Sequence, residues 1–159
     1  MKHFTKQQNK EWLAGLPKKS LAVKVIVRST QGNVLLVKPT YKKSWQLPGG
    51  GVEPFEEPRE AGMRELTEEL GLSINPTNLH IVGTAFRKEH DNLLLIYEYA
   101  VEIDENVSLQ LQEEEVEDVR FEDPVKISSQ ISDYYAHFWQ DYLEGRISAH
   151  GESNSKKQG

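Results

Sequence analysis

The chain has 159 residues, which is enough for one domain with its own hydrophobic core. Its formal net charge of -6 argues against a protein that binds a nucleic-acid polymer, because such proteins carry a basic stripe. The absence of cysteine excludes disulfides, thiolate metal sites and a cysteine nucleophile. The N-terminus is polar and no apolar run approaches membrane-spanning length, so we expect a cytoplasmic protein with no membrane contact.

The chain opens with a predicted helix and a predicted strand. Residues Thr5 to Leu16 suit a short helix, whose apolar side chains Trp12, Leu13 and Leu16 are expected to pack on the domain surface. The segment from Ser20 to Arg28 is rich in β-branched residues that partly alternate with polar ones, which predicts a β-strand.

A second strand and a basic loop follow. The turn at 31–33 leads into a strand from Val34 to Val37, and together with the first strand this predicts a β-hairpin. Pro39 ends the strand, and residues 40–44 form a loop with two lysines. Residues 45–47 are predicted to be briefly extended before Pro48.

The middle of the chain is a glycine-rich turn followed by a helix. A proline is well tolerated in a first helical turn, so the helix is predicted to begin at Glu57 or Pro58. Gly71 is a plausible C-terminal cap. Residues with apolar helical spacing give this helix one face to bury, and they are Met63, Leu66 and Leu70.

The same helix carries three glutamates within about one turn. Side chains three and four apart are neighbours on a helix, so Glu65, Glu68 and Glu69 must share one face. A solvated acidic face is the ordinary explanation of such a run. A divalent cation is the alternative, since clustered carboxylates suit Mg²⁺ or Mn²⁺.

The second half is predicted to hold three strands and a helix. The strands run from His80 to Lys88, from Leu93 to Ile103 and from Val116 to Phe121. An acidic loop from Asp104 to Glu114 precedes the last of them. Asp133 to Arg146 predicts a helix whose apolar side suits packing or a homodimer surface, formed by Tyr134, Phe138, Trp139 and Tyr142.

This order of elements predicts the fold class. Strands, a helix, more strands and a final helix are typical of an α+β fold or an α/β/α sandwich, with helices flanking a mixed β-sheet. We see no internal repeat and no linker, so residues 1–147 are expected to form a single domain. The polar residues 148–159 are expected to be a disordered tail.

The glycine turn and the acidic helix together resemble a known motif. Gly50 is followed after five residues by Glu56, and after seven more by Arg64-Glu65-Leu66-Thr67-Glu68-Glu69-Leu70-Gly71-Leu72. This spacing meets every fixed position of the Nudix box, and a chance match at one position is on the order of one in a billion. One departure is Phe55, where many members of that family have glycine.

The resemblance implies a Nudix-like fold and an enzyme with defined site residues. Metal ligation falls to Glu65, Glu68 and Glu69 with the Gly50 carbonyl, and Mg²⁺, or else Mn²⁺, is the implied cofactor. Arg64 is implied to orient these carboxylates, by pairing with Glu56, although an ordinary surface pair is the alternative. In the family the general base is either a glutamate of the box, which here would be Glu65 or Glu68, or a glutamate from a distant loop. Glu115 is our candidate here, as base or extra ligand, against a merely solvated loop.

The implied reaction is hydrolysis of a pyrophosphate bond in a nucleoside diphosphate linked to another group. A nucleoside triphosphate or a nucleotide sugar is the predicted small-molecule substrate. Side chains that could contact phosphates or a base are Lys38, Tyr41, Trp45 and Arg87, with Phe86 beside them. Surface solvation is the more common explanation of such charged residues, and core packing is the more common explanation of such aromatic residues. The alternative function is a module of the same fold that senses a nucleotide without cleaving it.

Overall fold

The computed structural model describes residues 3–131 and 136–146. Its regular elements in chain order are the helix α1 (Lys6–Ala14), the strands β1 (Ser20–Ile26) and β2 (Val34–Pro39), the helix α2 (Pro58–Leu70), the strands β3 (Leu79–Arg87), β4 (Asn92–Tyr99) and β5 (Val116–Glu122), and the helices α3 (Pro124–Ile127) and α4 (Ala136–Leu143). Within the described ranges no helix is both long and apolar enough to cross a membrane. Residues 148–159, and Asp133 and Tyr134 of the last predicted helix, lie outside the described residues.

The strands form two sheets. A three-stranded mixed sheet has the order β1-β4-β3, with β1 parallel and β3 antiparallel to β4. A two-stranded antiparallel sheet pairs β2 with β5. Helices flank this mixed arrangement, so the predicted fold class is confirmed. The strand predicted to reach Ile103 ends at Tyr99, and α3 was not predicted.

The predicted hairpin exists only as a turn. Ser29 donates its backbone N–H to Asn33 at 2.8 Å and Leu35 donates to Val27 at 2.9 Å, as in a hairpin. Beyond that point the prediction is wrong, because β1 pairs with β4 and β2 pairs with β5. Local turn residues specify the reversal of the chain, whereas the pairing partners come from distant segments that local sequence does not reveal.

The core has two layers, one on each side of β1 and β2. Alternate residues of a strand point to opposite faces, so each strand supplies both layers. The layer against α2 is built from buried residues in or next to all five strands and from that helix, and it includes Val23, Val25, Val27, Leu35, Val37, Ala61, Leu66, Leu70, Leu79, Tyr97 and Val116. The layer against α4 includes Ala22, Ile26, Val34, Leu36, Phe138 and Trp139. This is the layered sandwich that the order of elements predicts.

Both ends of α2 are capped as the sequence predicts. Glu57 accepts a hydrogen bond from the Arg59 backbone N–H at 3.1 Å, and Pro58 opens the first turn. Gly71 closes the helix in the left-handed conformation, with φ of 65°. Caps of this kind satisfy backbone groups that have no partner inside the helix.

The acidic loop provides a further cap for α2. The backbone N–H of Gln110 donates to the carbonyl of Leu70 at 2.9 Å, and that of Gln112 donates to Glu69 at 3.1 Å. These bonds satisfy carbonyls of the last helical turn. The loop therefore anchors the end of the helix that bears Glu69.

The N-terminal helix is capped at its start, and none of its residues is buried. Thr5 and Gln8 form a reciprocal capping box, with bonds of 3.2 and 3.0 Å. Trp12, Leu13 and Leu16 are 56%, 51% and 40% exposed. The expectation that these three side chains pack on the domain surface is therefore wrong, although the helix itself is present.

Candidate functional site

The glycine turn is fixed in place by β1. The backbone N–H of Val25 donates to the Pro48 carbonyl at 3.0 Å, and that of Val23 donates to the Gly50 carbonyl at 2.9 Å. Val52 in turn donates to Leu21 at 2.9 Å. The segment 48–52 therefore runs beside β1 with a defined register.

Two glycines in this turn have no room for a side chain. Gly49 has φ of 128°, and a Cβ there would overlap the carbonyl of Val23. A Cβ on Gly50 would overlap the carboxylate of Glu65 on α2. The backbone of the turn thus lies directly against the acidic face of the helix. Gly49 needs to be glycine because of its positive φ and the Val23 backbone, whereas a Cβ at Gly50 would force the Glu65 carboxylate to move.

Arg64 is the centre of a network of carboxylates. Its Nε and Nη2 donate to the two oxygens of Glu56 at 2.8 and 3.2 Å. Its Nη1 donates to Glu65 Oε1 at 2.9 Å and to Glu68 Oε2 at 3.0 Å, while Nη2 also reaches the Gly51 carbonyl at 2.9 Å. The predicted pair with Glu56 is present, and it is a two-pronged bond between partly buried groups.

This network affects the pKa values of its members in different directions. Bonding to Arg64 is the main reason that the pKa of Glu56 lies below its ordinary value. The pKa of Glu65 lies above its ordinary value because burial disfavours the charged form more than Arg64 favours it. The pKa of Arg64 is raised, chiefly by its bond to Glu56, so its positive charge is secure.

Glu69 faces the glycine turn. Its Oε2 accepts a hydrogen bond from the Gly49 backbone N–H at 3.0 Å. Burial raises the pKa of Glu69 to about 7, with smaller opposing contributions from Lys24 and the Gly49 bond and a further increase from Glu65 and Glu115. The charged form of the Glu69 carboxylate is thus disfavoured both by burial and by repulsion from Glu65 and Glu115.

Lys24, on β1, is a site residue that sequence reasoning missed. Its Nζ donates to the Gly49 carbonyl at 2.6 Å. Burial lowers the pKa of Lys24 to about 8, although Glu69 and Glu65 oppose the shift. The sequence does contain a signal for this residue, namely a lysine between Val23 and Val25 in an otherwise apolar strand. Since lysine is rarely buried without a partner, its position there indicates a specific contact.

Glu115 lies directly before β5 and next to the basic loop. Its side chain is exposed and its backbone carbonyl accepts from the Thr40 N–H at 2.9 Å. Its negative charge is among the smaller causes that raise the pKa of Glu69, after burial, so the two carboxylates repel one another. No contact assigns Glu115 the role of base, which stays a prediction.

The basic loop lines an open pocket of about 380 Å³. Its lining residues are Lys38, Thr40, Tyr41, Lys42, Lys43 and Glu117. Lys38 pairs with Glu117 at 3.0 Å, whereas Tyr41 is 74% exposed with the Lys42 Nζ 5.6 Å from its ring centre. An exposed aromatic ring next to ammonium groups can contact both a base and a phosphate.

The other predicted substrate contacts differ in their surroundings. Trp45 packs against the α4 layer, and the guanidinium of Arg120 lies 4.1 Å from its ring centre, an arrangement that favours packing over stacking on a base. Arg87 donates to Asn92 Oδ1 at 3.0 and 2.7 Å. Burial is the main reason that the pKa values of Lys24 and Lys42 are lowered, and the positive charge of Arg87 adds to both shifts. Phe86 lies beneath Lys19, whose Nζ is 5.1 Å from the ring centre.

The donor set fits a hard divalent cation. Glu65 and Glu68 are bonded to Arg64, and Glu69 is bonded to Gly49, so the described part of the chain contains no preassembled group of three acidic or histidine ligands. The candidate ligands are nevertheless all oxygen, which is the chemistry that Mg²⁺ and Mn²⁺ prefer. The Gly50 carbonyl oxygen accepts a hydrogen bond from the Val23 N–H with one lone pair, and its second lone pair could bind a cation.

Comparison with known proteins gives one family. A family model described as NUDIX domain matches residues 18–142. Among curated proteins, an RNA pyrophosphohydrolase of Proteus mirabilis is 45% identical over 51 residues, covering 32% of this chain and 29% of that protein. Another, from Halorhodospira halophila, is 42% identical over 65 residues, covering 41% and 35%. The chain thus spans about a third of the length of these relatives.

Solved structures share the fold. A MutT protein from Methanosarcina mazei Go1 superposes with a TM-score of 0.69 at 21% identity, covering 82% of this chain and 98% of the other. The E. coli ORF135 protein gives 0.66 at 22% identity, covering 80% and 90%. At these identities the likeness concerns the fold.

Proposed function

The chain belongs to the Nudix family, and from that premise we propose that it hydrolyses the pyrophosphate bond of a nucleotide with the help of Mg²⁺. The substrate is a nucleoside diphosphate linked to another moiety, either a nucleoside triphosphate or a nucleotide sugar. The observation that carries this proposal is the contact between the glycine turn and the carboxylates organised by Arg64. A merely solvated acidic face would need neither the glycines nor the arginine.

Four groups would hold the cation. They are the carboxylates of Glu65, Glu68 and Glu69 and the carbonyl of Gly50, with Mn²⁺ as an alternative to Mg²⁺. A bound divalent cation neutralises pyrophosphate oxygens and lowers the pKa of an attacking water. Because Arg64 already bonds to Glu65 and Glu68, it fixes their orientation before the substrate arrives.

The remaining groups bind the substrate or move a proton. The pocket beside the basic loop places Lys38 and Tyr41 next to Lys42, which suits a phosphate and a base. Arg87 supplies a further positive charge near Lys42. Glu115 is our candidate to accept the proton of the attacking water or to act as an extra ligand. Trp45 is the substrate contact with the least support, because its ring already packs against the core layer next to α4 and lies under Arg120.

A small nucleotide is favoured over an RNA end. The net charge of -6 disfavours a long polyanion, although relatives matched over a third of their length are named RNA pyrophosphohydrolases. A 5'-triphosphorylated RNA therefore belongs in the test as a competing substrate.

Turnover of a substrate panel tests the proposal. The protein is incubated with Mg²⁺ and dNTPs, nucleotide sugars, dinucleoside polyphosphates, ADP-ribose or triphosphorylated RNA, and products are followed by phosphorus NMR. Glu68→Gln and Glu69→Gln are each expected to lose most turnover and remain folded. Glu60→Gln is the matched control, since Glu60 is an exposed glutamate in the first turn of the same helix.

Several outcomes would contradict the proposal. Full activity in Glu68→Gln or Glu69→Gln, or turnover without metal, would refute the ligand assignment. Tight nucleotide binding without turnover of any compound would favour the nucleotide-sensing module. For Glu115, a Glu115→Gln variant with an unchanged rate and pH profile would remove it as the base.

A further inference from the structure

Lys24 has an unusual position for a charged residue. It lies in β1 between Val23 and Val25, both of which are completely buried. Its own side chain is partly buried, and removing an ammonium group from water is unfavourable unless the charge finds partners. An apolar residue would suit the strand equally well, so the hydrogen bond that the Lys24 ammonium donates explains why a polar side chain stands there.

That contact completes the attachment of the glycine turn to β1. The carbonyls of Pro48 and Gly50 are held by backbone N–H groups of β1. The intervening carbonyl, that of Gly49, is held by the ammonium of Lys24 at 2.6 Å. The side chain thus fixes the peptide plane that joins Gly49 to Gly50.

The same glycine connects Lys24 to the acidic helix. The Gly49 backbone N–H donates to Glu69 Oε2 at 3.0 Å, so the two polar groups of one residue are bonded to Lys24 and to Glu69. Glycine at this φ of 128° has few steric restraints of its own, and external bonds must define its conformation.

We propose that Lys24 is a positioning residue, which holds the Gly49–Gly50 turn and, through it, Glu69 in the arrangement that binds the divalent cation. The inference rests on the proposed function of this site. Partners of this kind, one step behind the ligands, change metal affinity or activity by about tenfold to a hundredfold when they are removed.

A different role would leave a different kinetic signature. If the Lys24 ammonium instead bound a substrate phosphate, its loss would raise KM for the nucleotide. As a positioning residue it acts on the metal site, so we expect kcat to fall about tenfold in Lys24→Met while KM for the nucleotide stays nearly constant. Lys24→Arg, which keeps a charged donor, is expected to recover most of the lost rate.

Binding of Mn²⁺ to the protein without substrate provides a readout that does not depend on turnover. Loss of a positive charge near the site would by itself strengthen cation binding. A weaker binding in Lys24→Met must therefore come from the lost contact with Gly49. The matched control is Lys42→Met. This change also removes a positive charge that acts on Lys24, but the bond between the Gly49 carbonyl and Lys24 is left intact.

The experiment is a Mn²⁺ titration followed by electron paramagnetic resonance, with hydrogen exchange of the Gly49 amide measured on the same proteins. We expect the dissociation constant to rise about tenfold in Lys24→Met and not to rise in Lys42→Met. The Gly49 amide should exchange about tenfold faster in Lys24→Met, while the Val25 amide stays protected.

Two results would overturn the inference. One is a Lys24→Met protein that binds Mn²⁺ at least as tightly as the wild type, and the other is a raised KM with an unchanged kcat. A failure of the proposed function looks different, because then the wild type itself would neither bind Mn²⁺ nor turn over any nucleotide. Protection of Val25 in the variant shows that β1 and the turn remain paired.

Discussion

Replacing Arg64 by glutamine removes the cation around which three carboxylates are arranged. Glu56 and Glu65 have only 14% and 12% of their side chains exposed, so water can replace the lost bonds poorly. Glu68 is 52% exposed and loses little. A hydrogen bond to a charged group contributes about 1.5–3 kcal/mol, and bonds that share one side chain do not add fully. We therefore expect Arg64→Gln to lower the free energy of unfolding by about 2–4 kcal/mol.

A double-mutant cycle in urea isolates the central bond. Arg64→Gln, Glu56→Gln and the double variant should give a coupling energy of about 1–3 kcal/mol, because both partners are partly buried and the bond is two-pronged. The control is the Arg59–Glu57 pair at the start of the same helix, whose side chains are both 46% exposed. Its coupling should stay below about 0.5 kcal/mol.

The difference between the two coupling energies tests whether burial strengthens the bond between Arg64 and Glu56. If the coupling of Arg64 with Glu56 is no larger than that of Arg59 with Glu57, burial does not strengthen this network. Arg64 would then be an ordinary surface arginine, and its proposed role in orienting the carboxylates would lose its physical basis.

Three further predictions concern stability. Gly71→Ala should destabilise the protein in urea by about 1–2 kcal/mol, and by more than Gly32→Ala, since both glycines have positive φ but only a Cβ at 71 would meet Gln110. Phe55→Gly should stabilise it by up to about 1 kcal/mol, because Phe55 is fully exposed and held at φ of 65°; a loss of stability in urea would show that the ring makes a needed contact. Burial, together with the Glu98 carboxylate, raises the pKa of Tyr142 to about 12, whereas an unfolded tyrosine has a pKa of about 10. The folded state keeps this proton longer, so the stability that it contributes is complete below pH 10 and is lost as the pH rises to about 12. Tyr142→Phe should show a smaller loss of unfolding free energy over that interval.

The boundaries of α2 and the pairing of Arg64 could be predicted from the sequence because they are local. Pro58 and Gly71 have conformational preferences that mark the ends of a helix wherever they occur. Glu56 and Arg64 lie eight residues apart across one turn, so the motif itself brings them together. The same locality explains why the contacts of Arg64 with Glu65 and Glu68 on its own helix follow from their spacing.

The contacts that were not predicted join segments far apart in the chain. Lys24 is 25 residues from the Gly49 carbonyl that it holds. In the sequence Trp45 cannot be distinguished from Tyr41, which is exposed, yet the Arg120 guanidinium lies over the ring of Trp45. The partners of β1 and β2 likewise come from the second half of the chain. Such pairings depend on the assembled core, which no local pattern encodes.

The division of the strands into two sheets has a consequence for how this protein can diverge. The carboxylate network is attached to β1 of one sheet, whereas the basic loop extends from β2 of the other and is bonded at Thr40 to the segment that precedes β5. Substitutions at the exposed tip of that loop therefore leave the attachment of the carboxylates to β1 unchanged, whereas Thr40 links the loop to the candidate base Glu115. If the basic loop binds the substrate as proposed, changes on the β2 side alter substrate contacts while the glycine turn keeps its bonds to β1.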